Sequence, residues 1–377
     1  MRADRVTYHQ NPQMSKMAFK RRNRKSVTIH DVAEAAGVSV STVSRVQNDK
    51  DDVAPETYER VQRVISEMGY ASSLAARGMR SRRTNVIGLI MPDVANPYCV
   101  EVMRGVNQAI VQSDYDLLIY TTGGIWKHGT TDQERRYVAL LNGSITDGMI
   151  IVTPAATNFS TDAPVVAIDP NNESPDCPAI IATNRAGALA AMAYLTGLGH
   201  RRIGHITGRL DLISANRRLR GYKEGLAAAG IPLDEKLIQI GDYLTECAVE
   251  CARTLLSLDD PPTAIFAAND MSAIGVYQVA REMGLRIPED LSVVGFDNLR
   301  ESALLNPPLT TVDQFISKTG TLAVDMVVRL VKGEALETNL HKIPTQLVVR
   351  DSCLSLSLDD DVATGISREM SLYAPVA

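Results

Sequence analysis

Residues 27–48 read VTIHDVAEAAGVSVSTVSRVQN and contain two short helical patterns separated by Gly37. Thr28 is a suitable N-cap for the first helix, and Asp31 follows three residues later, as in a capping box. Gly37 permits a tight turn, and Ser39 is expected to cap the second helix. The pattern predicts a helix-turn-helix, whose second helix enters the major groove of DNA.

The second helix has an apolar side and a polar side. Val43 and Val46 are predicted to face inward, and the outward residues are mostly short and polar, which suits contact with base edges. The alternative is a solvated surface hairpin, for which small outward residues are unusual. The predicted base contacts are Val40, Ser41, Thr42 and Arg45. The predicted phosphate contacts, which fix register, are Thr28, Ser39, Ser44 and Asn48.

The charge distribution supports a polyanion site near the N-terminus. Residues 1–85 contain 16 basic residues against 9 acidic ones, whereas the rest of the chain contains 23 against 35. A basic head on a larger acidic body is typical of nucleic-acid-binding proteins. Residues 1–25 lack apolar periodicity and are predicted to be a disordered basic tail.

The stretch TIHDVAEAAGVSVSTVSRV resembles the lac repressor and gal repressor family of bacterial transcription regulators. The similarity continues at Asn48, at Pro55-Glu56-Thr57, at Met68-Gly69-Tyr70 and on to about Arg350. The resemblance implies a DNA-binding domain at 26–71 and a hinge helix at 72–84 that folds in the minor groove of the operator. The hinge residues that it places in the groove are Ala75, Ala76 and Met79.

From Val86 onward, short apolar runs alternate with amphipathic helical stretches, which is typical of parallel sheets covered on both faces. The predicted strands are Val86–Met91, Leu117–Tyr120, Met149–Val152, Val165–Ile168, Ile203–Ile206, Ile265–Ala268 and Leu291–Phe296. The predicted helices are Glu101–Gln112, Gln133–Leu141, Ala186–Leu198, Leu219–Ala229, Glu246–Leu256, Met271–Arg281 and Lys318–Val331.

The resemblance implies that residues 85–350 form an effector-binding and dimerisation domain similar to periplasmic sugar-binding proteins. It would contain two doubly wound parallel-sheet subdomains, with the chain crossing between them three times. Residues 351–377 are predicted to be a C-terminal tail. Its alternating leucines at 354, 356 and 358 are candidates for an edge strand.

Polar side chains follow most of the predicted strands. Because ligands bind at the carboxyl ends of parallel strands, residues such as Asp169, Asn269 and Asp297 are expected to surround one cleft. Their fixed carboxylates and amides suit a polyhydroxyl ligand. The resemblance adds an arginine and a glutamine, and the predicted effector-binding residues are Asn96, Asp169, Arg218, Asn269, Asp297 and Gln314. For Asp270, a helix-capping role is predicted instead.

The sequence favours no enzyme class. It has no GxGxxG after a strand, no GxxxxGK[ST], no GxSxG and no metal-ligand cluster, so neither a cofactor nor a metal is expected. The five cysteines are interpreted as reduced thiols. No signal peptide and no membrane-spanning run is present, which predicts a cytoplasmic protein.

Together with these patterns, the resemblance implies a repressor that binds palindromic operator DNA as a homodimer and is controlled by a sugar or sugar derivative. Two alternatives remain: a regulator that responds to a purine or another nucleobase as corepressor, and a sugar-binding protein without a DNA function. The sequence does not decide whether the effector acts as inducer or corepressor.

Overall fold

The computed structural model describes residues 27–47, 50, 52–70, 83–123, 130–143 and 145–356. The chain divides into an N-terminal unit, Met1–Ala76, and a C-terminal unit, Arg77–Ala377. The predicted basic tail, the phosphate contact Asn48 and the hinge residues Ala75, Ala76 and Met79 lie outside the described residues.

The described residues of the N-terminal unit form three helices: α1 (Ile29–Ala36), α2 (Val40–Gln47) and α3 (Pro55–Met68). The capping box at the start of α1 is confirmed, because the Thr28 backbone N–H donates to Asp31 at 2.7 Å and the Thr28 hydroxyl accepts from the Asp31 N–H. Gly37 has a φ of 64°, the left-handed conformation that the turn requires.

A small apolar core holds the three helices together. Its fully buried side chains come from each helix in turn and include Val32, Val43, Val46 and Val61. Helix α3 begins at a proline, and Ala54 before it provides no side-chain cap. A polar cap at that position would add about 1 kcal/mol, so this unit lacks one common source of stability.

The C-terminal unit alternates strands and helices. Its strands are β1 (Val86–Met91), β2 (Asp116–Thr121), β3 (Gly148–Val152), β4 (Val165–Ile168), β5 (Ala179–Ala182), β6 (Ile203–Ile206), β7 (Ile238–Gln239), β8 (Ala264–Ala267), β9 (Ser292–Asp297), β10 (Thr310–Asp313), β11 (Leu340–Ile343) and β12 (Gln346–Val348). Its helices are α4 (Pro97–Ile110), α5 (Thr130–Leu141), α6 (Asn184–Gly197), α7 (Ile213–Ala228), α8 (Thr245–Leu256), α9 (Asp270–Glu282), α10 (Arg300–Leu304) and α11 (Ile316–Val331). A 3-10 turn spans Glu235–Leu237.

The strands form two six-stranded sheets, one in each subdomain. The first has the order β11-β5-β4-β3-β1-β2, and the second has the order β12-β10-β9-β8-β6-β7. Strand β12 is antiparallel to β10, and the other pairs are parallel. The chain passes between the subdomains at residues 182–184, 313–316 and 343–346. The two doubly wound sheets and the three crossings are therefore confirmed.

Helices cover both faces of each sheet. Helices α4 and α11 pack on one face of the first sheet, and α5 packs on the other. In the second subdomain, α8 and α9 cover one face, and α6 and α7 cover the other. This arrangement explains why the central strands are apolar along their whole length. No helix among the described residues is long and apolar enough to cross a membrane.

The seven predicted strands and seven predicted helices of this unit are present. The boundaries of β1, β4 and β6 are as predicted, and those of the other elements are shifted. Five further strands were missed, namely β5, β7, β10, β11 and β12. Strands β7, β10, β11 and β12 are only two to four residues long and contain polar side chains, so no apolar run indicates them. Strand β5 reads AIIA, an apolar run that the prediction did not include. Helix α7 begins at Ile213, six residues before the predicted start at Leu219.

The C-terminal boundary also differs from the prediction. Ser352 is completely buried, and its hydroxyl donates to the backbone oxygen of Val293 at 2.6 Å and accepts from the N–H of Thr310 at 2.8 Å. Packing on the second sheet thus extends beyond Arg350 to residue 356. Leu354 and Leu356 form no strand, so the predicted edge strand is wrong at these positions, and Leu358 lies outside the described residues.

Candidate functional site

A cavity of about 290 Å³ lies between the two subdomains, at the carboxyl ends of their strands. Such a cavity is close to the lower end of the range for small-molecule sites, roughly 300 Å³. The structure brings all six predicted effector residues to its wall, namely Asn96, Asp169, Arg218, Asn269, Asp297 and Gln314. Their role in binding an effector stays a prediction.

Arg218 is the central buried charge of the cavity. Helix α7 carries it, and its guanidinium donates from Nε to Asn184 Oδ1 at 2.8 Å and from Nη1 to the backbone oxygen of Ala268 at 2.5 Å. Nη1 also lies 3.4 Å from Asp297 Oδ1, and the guanidinium stacks on the ring of Phe296, 3.8 Å from its centroid. These contacts fix the guanidinium in the cavity wall.

Asp297 ends β9 and faces Arg218 within the second subdomain. Gln314, just after β10, donates from Nε2 to Asp297 Oδ1 at 2.6 Å. Burial raises the pKa of Asp297 to about 6, although Arg218 and the hydrogen bond from Gln314 favour the charged form. The next helix, α10, has Leu299 at its cap position, so Asp297 does not serve as its cap.

Because the pKa of Asp297 is raised in the folded state, ionisation of this residue should lower the free energy of unfolding. The folded state holds this proton up to about pH 6, whereas the unfolded chain releases it near pH 4. The free energy of unfolding should therefore fall by up to about 3 kcal/mol as pH rises across that interval. Asp297→Asn should remove this pH dependence, although it also leaves Arg218 without its buried ionic partner and so lowers stability at pH 7.5 by that separate effect. Urea unfolding of both proteins at pH 4.5 and 7.5 measures the difference, and equal pH dependence would contradict the prediction.

Among the six predicted effector residues, Asp169 is the one whose carboxylate oxygens are available to a ligand. No group in the described part of the chain donates a hydrogen bond to its carboxylate. Burial raises its pKa, and the nearby charges of Arg218 and Arg217 act in the opposite direction. A ligand hydroxyl or N–H that donates to Asp169 would supply the missing partner.

Backbone strain is concentrated around the cavity. Four of its lining residues have a positive φ although none is glycine: Thr153 (48°), Asp169 (48°), Tyr243 (73°) and Asp297 (120°). Non-glycine residues in such conformations cost about 1–3 kcal/mol each and cluster at functional sites. The strain therefore supports a ligand-binding role for this cavity.

Two of the predicted ligands are occupied as helix caps. Asn96 Oδ1 accepts from the backbone N–H of Tyr98 at 3.0 Å at the start of α4. Asn269 caps α9 by accepting from the Ser272 N–H at 2.9 Å, and its Nδ2 donates to the backbone oxygen of Tyr243 at 3.1 Å. Both amides therefore have less capacity left for a ligand than the sequence indicated.

The capping role predicted for Asp270 is wrong, because Asn269 occupies the cap position. Asp270 is the first residue of α9, and its carboxylate is fully buried. It accepts from the Thr311 hydroxyl at 2.5 Å and from the Leu299 N–H at 2.8 Å. Burial raises its pKa well above the usual range, with Asp297 contributing in the same direction. Asp270 therefore stabilises the segment that follows β9 and its contact with β10.

The sequence did not identify the two tyrosines of the cavity as ligand residues. Tyr98 comes from the first turn of α4 in the first subdomain, and Tyr243 comes from the loop before α8 in the second. The Tyr243 hydroxyl lies 3.3 Å from the Ser214 hydroxyl. Burial raises the pKa of both tyrosines. Tyr243 follows the two-residue strand β7, so no apolar run marked it as a strand-end residue.

The DNA-binding surface predicted on α2 belongs to the N-terminal unit. The Ser39 hydroxyl lies 2.7 Å from that of Ser41 and 2.8 Å from that of Thr42, and it also accepts from the Thr42 N–H at 3.1 Å. The Ser39 cap is therefore confirmed. Arg45 is exposed and pairs with Asp52 at 3.3 Å. Val40 and Ser44 are half-buried on the same helix.

The helix-turn-helix unit and the two-sheet body with its polar cavity define a class: DNA-binding regulators that carry a periplasmic-binding-protein-like domain. Among the described residues, no group of His, Cys, Asp and Glu is arranged to hold a metal ion.

Comparison with known proteins supports this class. Residues 28–73 match the family described as bacterial regulatory proteins, lacI family, and residues 192–353 match the periplasmic binding protein-like domain. An HTH-type transcriptional repressor PurR from Vibrio atlanticus (strain LGP32) is 33% identical over 88% of this chain and 99% of its own length. The chain therefore belongs to the lacI family of bacterial regulatory proteins, as a DNA-binding transcriptional repressor.

Solved structures agree with the fold and the family. The lac repressor dimer bound to operator and the anti-inducer ONPF is 27% identical, with a TM-score of 0.76, and the match covers 88% of this chain and all of that chain. The complex of the transcriptional regulator CelR with cellobiose is 30% identical, with a TM-score of 0.63, over 86% of this chain and 99% of that chain.

Proposed function

We propose that this repressor binds a palindromic operator as a homodimer and responds to a small, uncharged, sugar-like effector in the cavity. The observation that carries the proposal is the composition of the cavity wall. Asp169 has no hydrogen-bond donor among the described residues, while Arg218, Asp297 and Gln314 form a fixed polar group beside it. A carboxylate without a donor suits ligand hydroxyl groups.

The charge of the cavity wall argues against a phosphorylated effector. Asp93, Asp169, Glu246 and Asp297 line the cavity together with only one cationic side chain among the described residues, Arg218. Helix N-termini near the cavity offset part of this negative charge. Arg218 is already engaged by Asn184, Ala268 and Asp297, so a phosphate group would meet mainly carboxylates. The cellobiose bound to the similar regulator CelR fits the same chemical class.

A nucleobase is the second candidate for the effector. The relatives named PurR favour it, and so do the rings of Tyr98 and Tyr243, which border the cavity from opposite subdomains. Planar bases stack on aromatic rings, whereas sugars place C–H faces against them. The sugar remains the first candidate because a purine offers fewer donors to the cavity carboxylates than a polyol does.

Dimerisation follows from the requirement for specific DNA binding. One helix-turn-helix contacts too few base pairs to select a site in a genome, and two heads on a palindrome double that number. The similar lac repressor binds its operator as a dimer. The predicted phosphate contacts Thr28, Ser39, Ser44 and Asn48 would then fix the register of each head.

A thermal-shift screen of the full-length protein tests the effector class. The compounds are neutral sugars, the matching sugar phosphates and nucleobases, and a ligand at 100 times its dissociation constant stabilises by about 2.7 kcal/mol. We expect shifts with a neutral sugar. Shifts with nucleobases alone would support the second candidate, and shifts with sugar phosphates alone would contradict the charge argument. Operator binding is tested separately by selecting bound duplexes from a random DNA library.

Arg45→Ala should weaken binding to the selected operator by about 1–3 kcal/mol and relax sequence preference, because an arginine in the groove reads a specific base. Fluorescence anisotropy with operator and random duplexes measures both effects. Asp52→Ala is the matched control, since it removes the same ion pair but keeps Arg45, and it should bind operator as well as or better than the wild type. An equal loss of Arg45→Ala on both duplexes would reject base contact.

A further inference from the structure

Asn171 reaches from the first subdomain to the second at one rim of the cavity. It lies in the loop after β4, where its backbone N–H donates to the backbone oxygen of Pro154 at 3.1 Å. Its side chain donates from Nδ2 to the backbone oxygen of Asp211 at 2.8 Å and accepts through Oδ1 from the Ile213 N–H at 2.8 Å. One amide therefore makes two hydrogen bonds across the cleft.

The second of these bonds supplies a cap that α7 does not have locally. Ile213 is the first residue of α7, and Leu212 before it has the extended conformation of an N-cap residue but forms no side-chain cap. The first N–H groups of a helix have no partner within it. Asn171 thus satisfies one of these groups from another subdomain, 42 residues earlier in the chain.

An ion pair reinforces the same rim. Glu173, two residues after Asn171, pairs with Arg217 on α7. Because Glu173 is largely exposed, with 69% of its side chain accessible, this pair contributes little by itself. The two hydrogen bonds of the more enclosed Asn171 carry most of the connection, and the ion pair keeps the loop close to α7.

We propose that Asn171 is a positioning residue that links closure of the cleft to the placement of the effector-binding arginine. Helix α7 carries Ser214 and Arg218, both of which line the cavity. When the cleft opens, Asn171 leaves α7, and the first turn of the helix loses its cap. Closure restores the cap and orders the turn that precedes Arg218. The inference rests on the proposed function, in which an effector binds in the cavity between the two subdomains.

Two states of the cleft then differ in a measurable property, the protection of the first turn of α7. In this view, the effector does not need to contact Asn171, because any ligand that favours the closed form also favours the capped form of the helix. Asn171 therefore makes the order of the first turn of α7, the helix that contains Arg218, depend on whether the cleft is open or closed.

Hydrogen-exchange mass spectrometry on the full-length protein, without effector or DNA, tests this role. Asn171→Ala should raise exchange about fivefold in peptides that cover residues 211–218, the effect expected for loss of one helix cap. Peptides from α8 and α9 should be unchanged. Arg220→Ala is the control on α7, because it removes an exposed ion pair with Glu224 that stays within the second subdomain, and it should leave residues 211–218 at the wild-type rate.

A double variant separates the two effects of Asn171, which are capping α7 and holding the two subdomains together. Leu212→Ser places a capping side chain in the chain itself, so Asn171→Ala with Leu212→Ser should regain much of the protection at residues 211–218. Loss of the hydrogen bonds across the cleft should also favour the open form. Small-angle scattering should therefore give a larger radius of gyration than the wild type for Asn171→Ala, both alone and combined with Leu212→Ser. Unchanged exchange in Asn171→Ala, equal exchange in Arg220→Ala, or an unchanged radius of gyration would each overturn the proposal. Failure of the wild type to bind operator would contradict the proposed function and leave these results unaffected.

Discussion

Arg218→Ala is expected to abolish the response of operator binding to the effector while leaving a protein that folds and binds DNA. The wild-type guanidinium holds the cavity wall through Asn184, Ala268 and Asp297 and stacks on Phe296. Alanine removes the guanidinium from these groups, with Gln314 as the remaining donor to Asp297, and enlarges the cavity, so the ligand loses its fixed polar surface. The N-terminal unit contains none of these residues, and operator binding should therefore persist.

The same substitution should lower the free energy of unfolding by about 3–5 kcal/mol at neutral pH, because one partner of a buried ion pair is removed. Arg218 normally lowers the pKa of Asp297, so its loss should raise that pKa further. The stability deficit should consequently shrink as pH falls and Asp297 takes up its proton. Urea unfolding at pH 7.5 and pH 5 measures this difference.

Two further variants make the result interpretable. Arg220→Ala removes an exposed arginine from the same helix and should keep both the effector response and the stability of the wild type. Arg218→Lys restores a positive charge near Asp297 without the planar fork that binds Asn184 and Ala268 together, so it should recover stability but not the response. A normal thermal shift and a normal change in operator affinity in Arg218→Ala would refute the assignment.

Gly105→Ala should cause a large loss of stability. A Cβ at Gly105 on α4 would lie 1.7 Å from the backbone oxygen of Ser317 on α11. Across the same crossing, a Cβ at Gly320 would lie 2.3 Å from the backbone oxygen of Val102. Backbone atoms cannot move aside as side chains do, so the two helices must separate. We expect a loss of about 3 kcal/mol or more.

This helix crossing also positions the cavity. Helix α4 begins at the cavity with Asn96 and Tyr98, and α11 begins two residues after Gln314. A shift of either helix moves these residues, so Gly105→Ala should weaken effector binding as well as stability. Both are measured on the full-length protein, by urea unfolding and by the thermal shift with a screened ligand.

Gly197→Ala provides the matched control for the crossing. Gly197 ends α6, a Cβ added there would meet no described atom within 4 Å, and its φ is not positive. Alanine should therefore raise stability by up to about 1 kcal/mol through its better helix propensity. If Gly105→Ala lay within about 0.5 kcal/mol of the wild type, the close crossing would not be important for stability.

The DNA-binding unit could be predicted from sequence because its determinants are local. The Thr28–Asp31 capping box and the left-handed Gly37 each involve residues a few positions apart. The central strands were equally clear, since burial on both faces requires continuous apolar runs such as Val86–Met91. The short strands β7 and β12 were missed because pairing with a neighbour, rather than their own composition, makes them strands.

By itself, the sequence determined the order of the central strands and of the helices that cover them, the two-sheet body and the set of polar residues at the strand ends. Only the tertiary structure decided which of those residues remain available to a ligand. Asn96 and Asn269 are used as caps, whereas Asp169 has no donor among the described residues. Likewise, the Ile213 N–H at the start of α7 finds its acceptor, Asn171, across the cleft. Caps and ion pairs between distant segments depend on how the subdomains meet, and no local pattern in the sequence encodes that.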